Sequence, residues 1–175
     1  MRYIFTLILI FSFSFSSDDY GFNFFSKSGV KPVDNELYEN ECSACHFAYQ
    51  PGLLPSKSWE LVMNNLENHF GSDASVDEED FDILYKYIMD NSAQKSMNYK
   101  RSRKIAASMS YTTKNIDRIT NTPYIVRKHD EIPSRLIEQD EVKGLFNCTA
   151  CHTTAKKGIY KERDIMIPNF GRWDD

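Results

Sequence analysis

ECSACHFAYQPGLLP, residues 41–55, holds Cys42, Cys45 and His46 in the order C-x-x-C-H. A shorter echo, CTACH at residues 148–152, holds Cys148, Cys151 and His152 in the same order. This is the attachment signature of c-type haem, in which two thiols bind the porphyrin covalently and the next residue ligates its iron. Each motif therefore supplies a fifth ligand. What fills the sixth position decides the function class, because a filled site makes an electron carrier whereas an open one makes a catalyst or a gas binder.

Working outward from residues 41–55, DNELYENE leads into Cys42 and reads as a helix. Extended, it would carry Cys42, Cys45 and His46 on its last turns, since positions i, i+3 and i+4 share a face. Pro51, Gly52 and Pro55 then make a loop. A second helix is expected from Ser56 or Ser58 to Phe70, with Trp59, Val62, Met63 and Leu66 on an apolar stripe that continues to His69; Gly71 is its stop. A third should begin at the capping box Ser75-Val76-Asp77-Glu78 and turn Phe81, Leu84, Tyr85 and Ile88 inward.

The polar stretch NSAQKSMNYKRSR, residues 91–103, is the expected boundary between two halves. Beyond it, residues 103–109 read as weakly helical. TPYIVRKHDEIP reads as a short helix with Thr122 as N-cap, Pro123 at the first helical position, and Ile125, His129 and Ile132 on one face. SRLIEQDEVKGLFN is expected to lead into Cys148 as DNELYENE leads into Cys42. Periodicity offers no strand pattern and no assignment for residues 158–173. The expected fold class is mainly α, as two small cytochrome c-like haem-binding lobes with long irregular loops, divided as residues 18–95 and 96–175.

Residues 1–17, MRYIFTLILIFSFSFSS, have one early positive charge at Arg2, an apolar run and then small residues alternating with Phe. That is the form of a secretory signal peptide, cleaved after Ser14, Ser16 or Ser17. The alternative is an uncleaved N-terminal tether, though the run is shorter than the ~20 apolar residues a spanning helix needs. The expected location is the periplasm. Without Arg2 the chain carries 20 basic against 25 acidic residues, a formal −5. That balance implies no broad basic surface, excludes nucleic acid as an expected partner and favours a partner with a basic patch. Lys156 and Lys157 read as a solvated pair.

The chain has four cysteines, all inside the two motifs, and four histidines: His46, His69, His129 and His152. A single C-x-x-C could be a redox dithiol or half a zinc site. Two motifs consuming every cysteine argue against both. Two irons with two axial imidazoles each need four histidines, and 23 residues separate the members of each half's pair. For His69 and His129 the competing reading is a histidine packed in the core. Methionine is the competing sixth ligand and would raise the haem potential. Met63 belongs to an apolar stripe, whereas Met109 and Met166 stay open on spacing alone. Tyr49, Trp59 and Tyr124 read as walls of the haem sites.

ECSACHFAYQPGLLPSKSWELVMNNLENHFG, with RITNTPYIVRKHDEIP and FNCTACH, resembles the small dihaem cytochromes c of bacteria, from about Tyr38 to His152. The resemblance implies a periplasmic electron carrier, not an enzyme, holding two covalently bound haem c groups by Cys42, Cys45, Cys148 and Cys151. It implies His46 and His152 as proximal and His69 and His129 as distal iron ligands; spacing does not say which distal histidine serves which haem, and the expectation taken is His46 with His69 and His152 with His129. Redox proteins are the implied partners, such as a monohaem oxygen-binding cytochrome or a membrane cytochrome b, with no small-molecule substrate. The rival class is a peroxidase-like dihaem enzyme in which one haem opens to substrate.

Overall fold

Asn35 starts the first helix, α1 (Glu36–Cys42), by accepting a 2.8 Å hydrogen bond from the Tyr38 amide, with Glu36 and Glu39 in the first turn complementing the helix dipole. The computed structural model describes residues 27–173. The signal-peptide reading of residues 1–17 lies outside them. Contrary to the expected extension, α1 ends at Cys42, and Cys45 and His46 stand in the turn that follows. Tertiary bonds pull the chain off the helix axis there. The buried Tyr38 hydroxyl donates to the Tyr49 carbonyl at 2.6 Å, and Gln50, 0 % exposed, is anchored on the far half of the molecule.

After a 3-10 turn at Pro51–Leu53, whose Pro51 carbonyl accepts from the Trp59 indole at 2.8 Å, comes α2 (Ser56–Met63). Its Trp59, Val62 and Met63 are buried, as the stripe requires. The helix stops seven residues before Phe70 because Asn64 and Asn65 offer the backbone alternative partners. The Asn65 amide donates to the Asn68 carbonyl at 2.9 Å across a second 3-10 turn, Leu66–Asn68. His69 is therefore off the helical stripe. It opens a tight turn in which His69 and Ser72 exchange backbone hydrogen bonds of 2.7 and 3.2 Å, around Phe70 and Gly71 at φ 57° and 99°. Two positive φ values in a two-residue turn explain the glycine.

Helix α3 (Glu78–Asn91) is capped at Asp77, two residues later than the capping-box reading; the Ser75 amide is instead taken by the Asp73 carboxylate at 2.9 Å. Leu84 and Ile88 are buried and Phe81 and Tyr85 pack beside them. With Tyr38, Leu54, Trp59, Val62 and Met63 they form a first core. Burying Leu84 and Ile88 is worth about 2 kcal/mol each relative to exposure.

Helix α4 (Lys100–Met109) begins three residues before the expected Arg103, and α5 (Pro123–His129) begins at Pro123 as expected. Thr122 occupies the cap position, but its hydroxyl bonds back to the Ile119 carbonyl. Helix α6 is only Ser134–Ile137. The expected lead-in helix to Cys148 is replaced by turns that need positive φ at Lys143 and Gly144, and α7 (Cys148–Cys151) starts at the motif itself. In the tail, β1 (Met166–Ile167) and β2 (Gly171–Arg172) pair antiparallel.

The fold is mainly α, with a second core of Val30, Leu53, Ala93, Ile105, Tyr124, Ala155 and Tyr160. Val30, Leu53 and Ala93 come from residues 18–95, so this core is shared between the two halves of the chain. Gln50 ties the halves together. Its amide donates to the Ala155 carbonyl at 2.7 Å and its carbonyl oxygen accepts from the Tyr160 hydroxyl at 2.7 Å. Among the described residues no helix is long and apolar enough to cross a membrane.

Candidate functional site

The four histidines come together as two pairs, each made of a motif histidine and one from a separate element. His46, in the turn after α1, faces His69, with ring centres 6.2 Å apart and planes inclined by 34°. His152, just after α7, faces His129, the last residue of α5, at 6.1 Å and 81°. A metal–imidazole bond is about 2 Å and the bonding nitrogen lies roughly 1 Å from its ring centre, so two rings on opposite sides of one metal stand about 6 Å apart. Both pairs have that spacing.

Two rings are held in a defined tautomer by backbone. The His46 Nδ1 lies 2.9 Å from the Phe47 carbonyl oxygen, and the His129 Nδ1 lies 2.8 Å from that of Ile125, one helical turn back. A carbonyl only accepts, so each Nδ1 carries the hydrogen and each Nε2 presents its lone pair. Such backing both orients a ligating imidazole and makes it a better donor. Burial, reinforced by His129 and Arg101, holds the His152 imidazole at a pKa of about 4. Burial likewise lowers His129 and His69, the latter also through His46 and Arg118. These rings are neutral at pH 7, as metal ligation requires.

The four thiols are unpaired. Burial pushes Cys42 and Cys148 up to about 11, the opposite of the activated thiolate that a redox C-x-x-C needs. Nor do three or more His, Cys, Asp or Glu side chains converge as an ion cage among the described residues.

Around His129 and His152 lies a cavity with apolar walls, including Ile125, Ile132, Leu136, Val142 and Ile167, and two cations, Arg101 and Lys128. A large flat apolar group carrying carboxylates fits that lining: the walls take the ring and the cations take the acids. Arg101 is prepared for it, since its guanidinium donates to the Tyr124 hydroxyl at 3.0 Å and lies 5.7 Å from the Tyr160 ring centre. Tyr160 in turn packs edge-on against His152, with centres 5.3 Å apart.

Sequence reading missed Arg101, Lys128 and Tyr160 as site residues. The run KRSRK, residues 100–104, was the available signal, and its position in a polar stretch disguised it as a boundary. Of the expected walls, Tyr49 stacks on His46 with centres 4.5 Å apart, whereas Trp59 and Tyr124 are taken up by the first and second cores. Met63 is buried in the first core, Met109 lines a separate groove with Leu61, and Met166 is 47 % exposed on β1. Lys156 and Lys157 are exposed.

The sequence profile of the dihaem cytochrome c family matches residues 38–160, from before the first motif to past the second. The chain belongs to the dihaem cytochrome c family. It is similar in structure to the dihaem cytochrome c of Shewanella baltica OS155, with 36 % identity over 80 % of this chain and 98 % of that one, at a TM-score of 0.65. A dihaem cytochrome c from Rhodobacter sphaeroides is 38 % identical over 75 % of this chain and all of its own length, at a TM-score of 0.64. No curated protein matches the chain. As a dihaem cytochrome c it carries two haem c groups and is a haem-based electron carrier.

Proposed function

We propose that this dihaem cytochrome c is a periplasmic shuttle that passes single electrons between redox proteins through two six-coordinate, bis-histidine haems. The observation that carries the reading is the pair of imidazole separations, 6.2 and 6.1 Å, each the spacing of two axial ligands on one iron. On this reading Cys42 and Cys45 hold one haem and Cys148 and Cys151 the other. His46 with His69, and His129 with His152, fill the axial positions.

Bound haem supplies one-electron exchange between ferric and ferrous iron. The chain's part is to hold the ligands still, so that little rearranges with oxidation state. His46 and His129 are fixed through their Nδ1–H bonds to backbone, and His152 by Tyr160 behind it. Arg101 and Lys128 would hold haem carboxylates in the second site. With an imidazole at each axial position no coordination site is left for substrate, which separates this reading from a peroxidase-like one.

The test is spectroscopic. Optical and EPR spectra of the purified ferric protein should show both haems low-spin, and carbon monoxide should leave the ferrous spectrum essentially unchanged. A stoichiometric high-spin signal, or carbon monoxide binding at one haem, would replace the carrier reading with the enzyme reading.

A further inference from the structure

The formal charge of the whole chain conceals a division. Residues 27–95 hold 13 acidic and 5 basic side chains, a net −8, while residues 96–173 hold 8 acidic and 15 basic, a net +7. The excess of basic residues that the overall balance conceals therefore lies in the second half of the chain.

Its densest part is built by two packed helices, α4 and α5. Lys100 and Lys104, one turn apart, share a face of α4, and Arg127 projects from α5. Tyr124 gathers two of them: the Lys104 ammonium lies 5.9 Å and the Arg127 guanidinium 5.7 Å from its ring centre, and Arg101 donates to its hydroxyl. The ring, 3 % exposed, anchors the cluster from below, while Lys100, Lys104 and Arg127 are exposed. The three ion pairs formed among the described residues use none of these cations. The nearest acids, Asp130 and Glu131 after the end of α5, form no ion pair with Arg127, so the like charges repel one another and are free to meet an external anion.

The face also borders the second histidine pair. Arg101 and Lys128, which border it, line the cavity of the His129–His152 pair. An anionic surface seated on Lys100, Lys104 and Arg127 is thereby one residue along each helix from cations that line that site. Glu36, Glu39 and Glu41 on α1, with Glu78, Glu79 and Asp80 in the first turn of α3, which packs on α1, repel the same surface.

We infer that the α4–α5 face formed by Lys100, Lys104 and Arg127 around Tyr124 is the docking site of an acidic electron-transfer protein, which exchanges one electron with the haem held between His129 and His152. This rests on the electron-carrier reading above. In the exchange one iron passes from ferric to ferrous while the partner loses one electron, and no bond is made or broken. A protein is favoured over an anionic membrane because the face borders a redox site, and a lipid headgroup has no electron to exchange.

The test uses the haem-loaded full chain and, as probe, fully reduced flavodoxin, an acidic protein whose anionic flavin hydroquinone becomes the neutral semiquinone on giving up one electron. At low ionic strength the second-order rate constant for haem reduction should fall about tenfold or more in K104E/R127E, and less in the neutralised K104Q/R127Q. The decline of that rate with added salt, steep in the wild type, should flatten in both. Reduction by the uncharged 5-deazariboflavin radical should stay within about twofold, since neither residue lines the haem cavity. An unchanged flavodoxin rate would overturn the proposal, as would an equal loss with the uncharged radical. Loss of binding to phosphatidylserine vesicles with an undiminished flavodoxin rate would overturn it in favour of a membrane contact. Failure of the carrier reading itself would appear separately, as a high-spin or carbon monoxide-binding haem in the wild type.

Discussion

His129 closes α5 and faces His152 across the second cavity. Its Nδ1–H is held by the Ile125 carbonyl of its own helix, so its Nε2 is aimed by α5 and not by the covalent haem attachment. His129→Ala should leave both haems attached through their cysteines while one becomes high-spin and binds carbon monoxide, read by optical and EPR spectra; two low-spin haems in the variant would mean another residue ligates there. The methionine alternatives are poorly placed to be that residue, since Met166 is exposed and Met109 lies in another groove. A smaller residue-level effect is expected at Asp34. Its bond to Lys31, assisted by the Tyr87 hydroxyl, holds its carboxyl below the ordinary value of 3.8. A depressed folded pKa adds stability above the unfolded value and loses it as pH falls through the folded one. Asp34 is more than half exposed, so Asp34→Asn should cost no more than about 0.5 kcal/mol at pH 7. Urea midpoints should show the variant and the wild type converging once the pH is well below 3.8.

Elements here are short, and what holds them is bonding between distant segments. The 3-10 turn Ala155–Lys157 ends at Gly158, whose φ of 67° suits glycine and whose carbonyl accepts from the Gly29 and Val30 amides. A Cβ at Gly158 would stand 2.3 Å from the Val30 carbonyl oxygen. Strain and collision together should make Gly158→Ala cost about 3 kcal/mol or more, measured as a lowered Tm. Gln50→Ala strands two buried partners, the Ala155 carbonyl and the Tyr160 hydroxyl, and should cost about 3 kcal/mol. Tyr160 backs His152, so the same variant should also shift one haem potential and leave the other in place. A Tm change with both potentials unmoved would make Gln50 purely structural. The helices that periodicity placed well, α3 and α5, are those whose stripe or N-terminal proline is strong enough to act locally. The expected ends of α1 and α2 failed where Tyr38, Gln50 and two asparagines compete with the helix.

For the molecule as a whole, two small cores and a cavity wall share the work of stability with the prosthetic groups. Ile125, Ile132, Leu136 and Ile167 face the second haem site, and four-residue segments such as α6 and α7 do not stand as isolated helices. Replacing all four cysteines by serine should therefore yield a chain with much weaker near-UV circular dichroism and rapid proteolysis. Retention of native amide protection without haem would show that the polypeptide packs on its own. At this scale too the opposed charges of the two halves give the molecule a direction, which an overall formal charge of −4 does not reveal.

The sequence by itself determined the residue inventory and the class: two C-x-x-C-H motifs, four cysteines, four histidines and a mainly helical chain. These are local properties of residue type and spacing, and they survive whatever the backbone does between them. Only the tertiary structure decided which imidazoles face each other, that His69 is offered by a tight turn instead of a helix, and that Arg101 and Tyr160 belong to the second site. Those facts depend on contacts across dozens of residues, such as Gln50 with Tyr160. No periodicity along the chain records them, because the free energy that selects them comes from burial and hydrogen bonds between segments the sequence keeps apart.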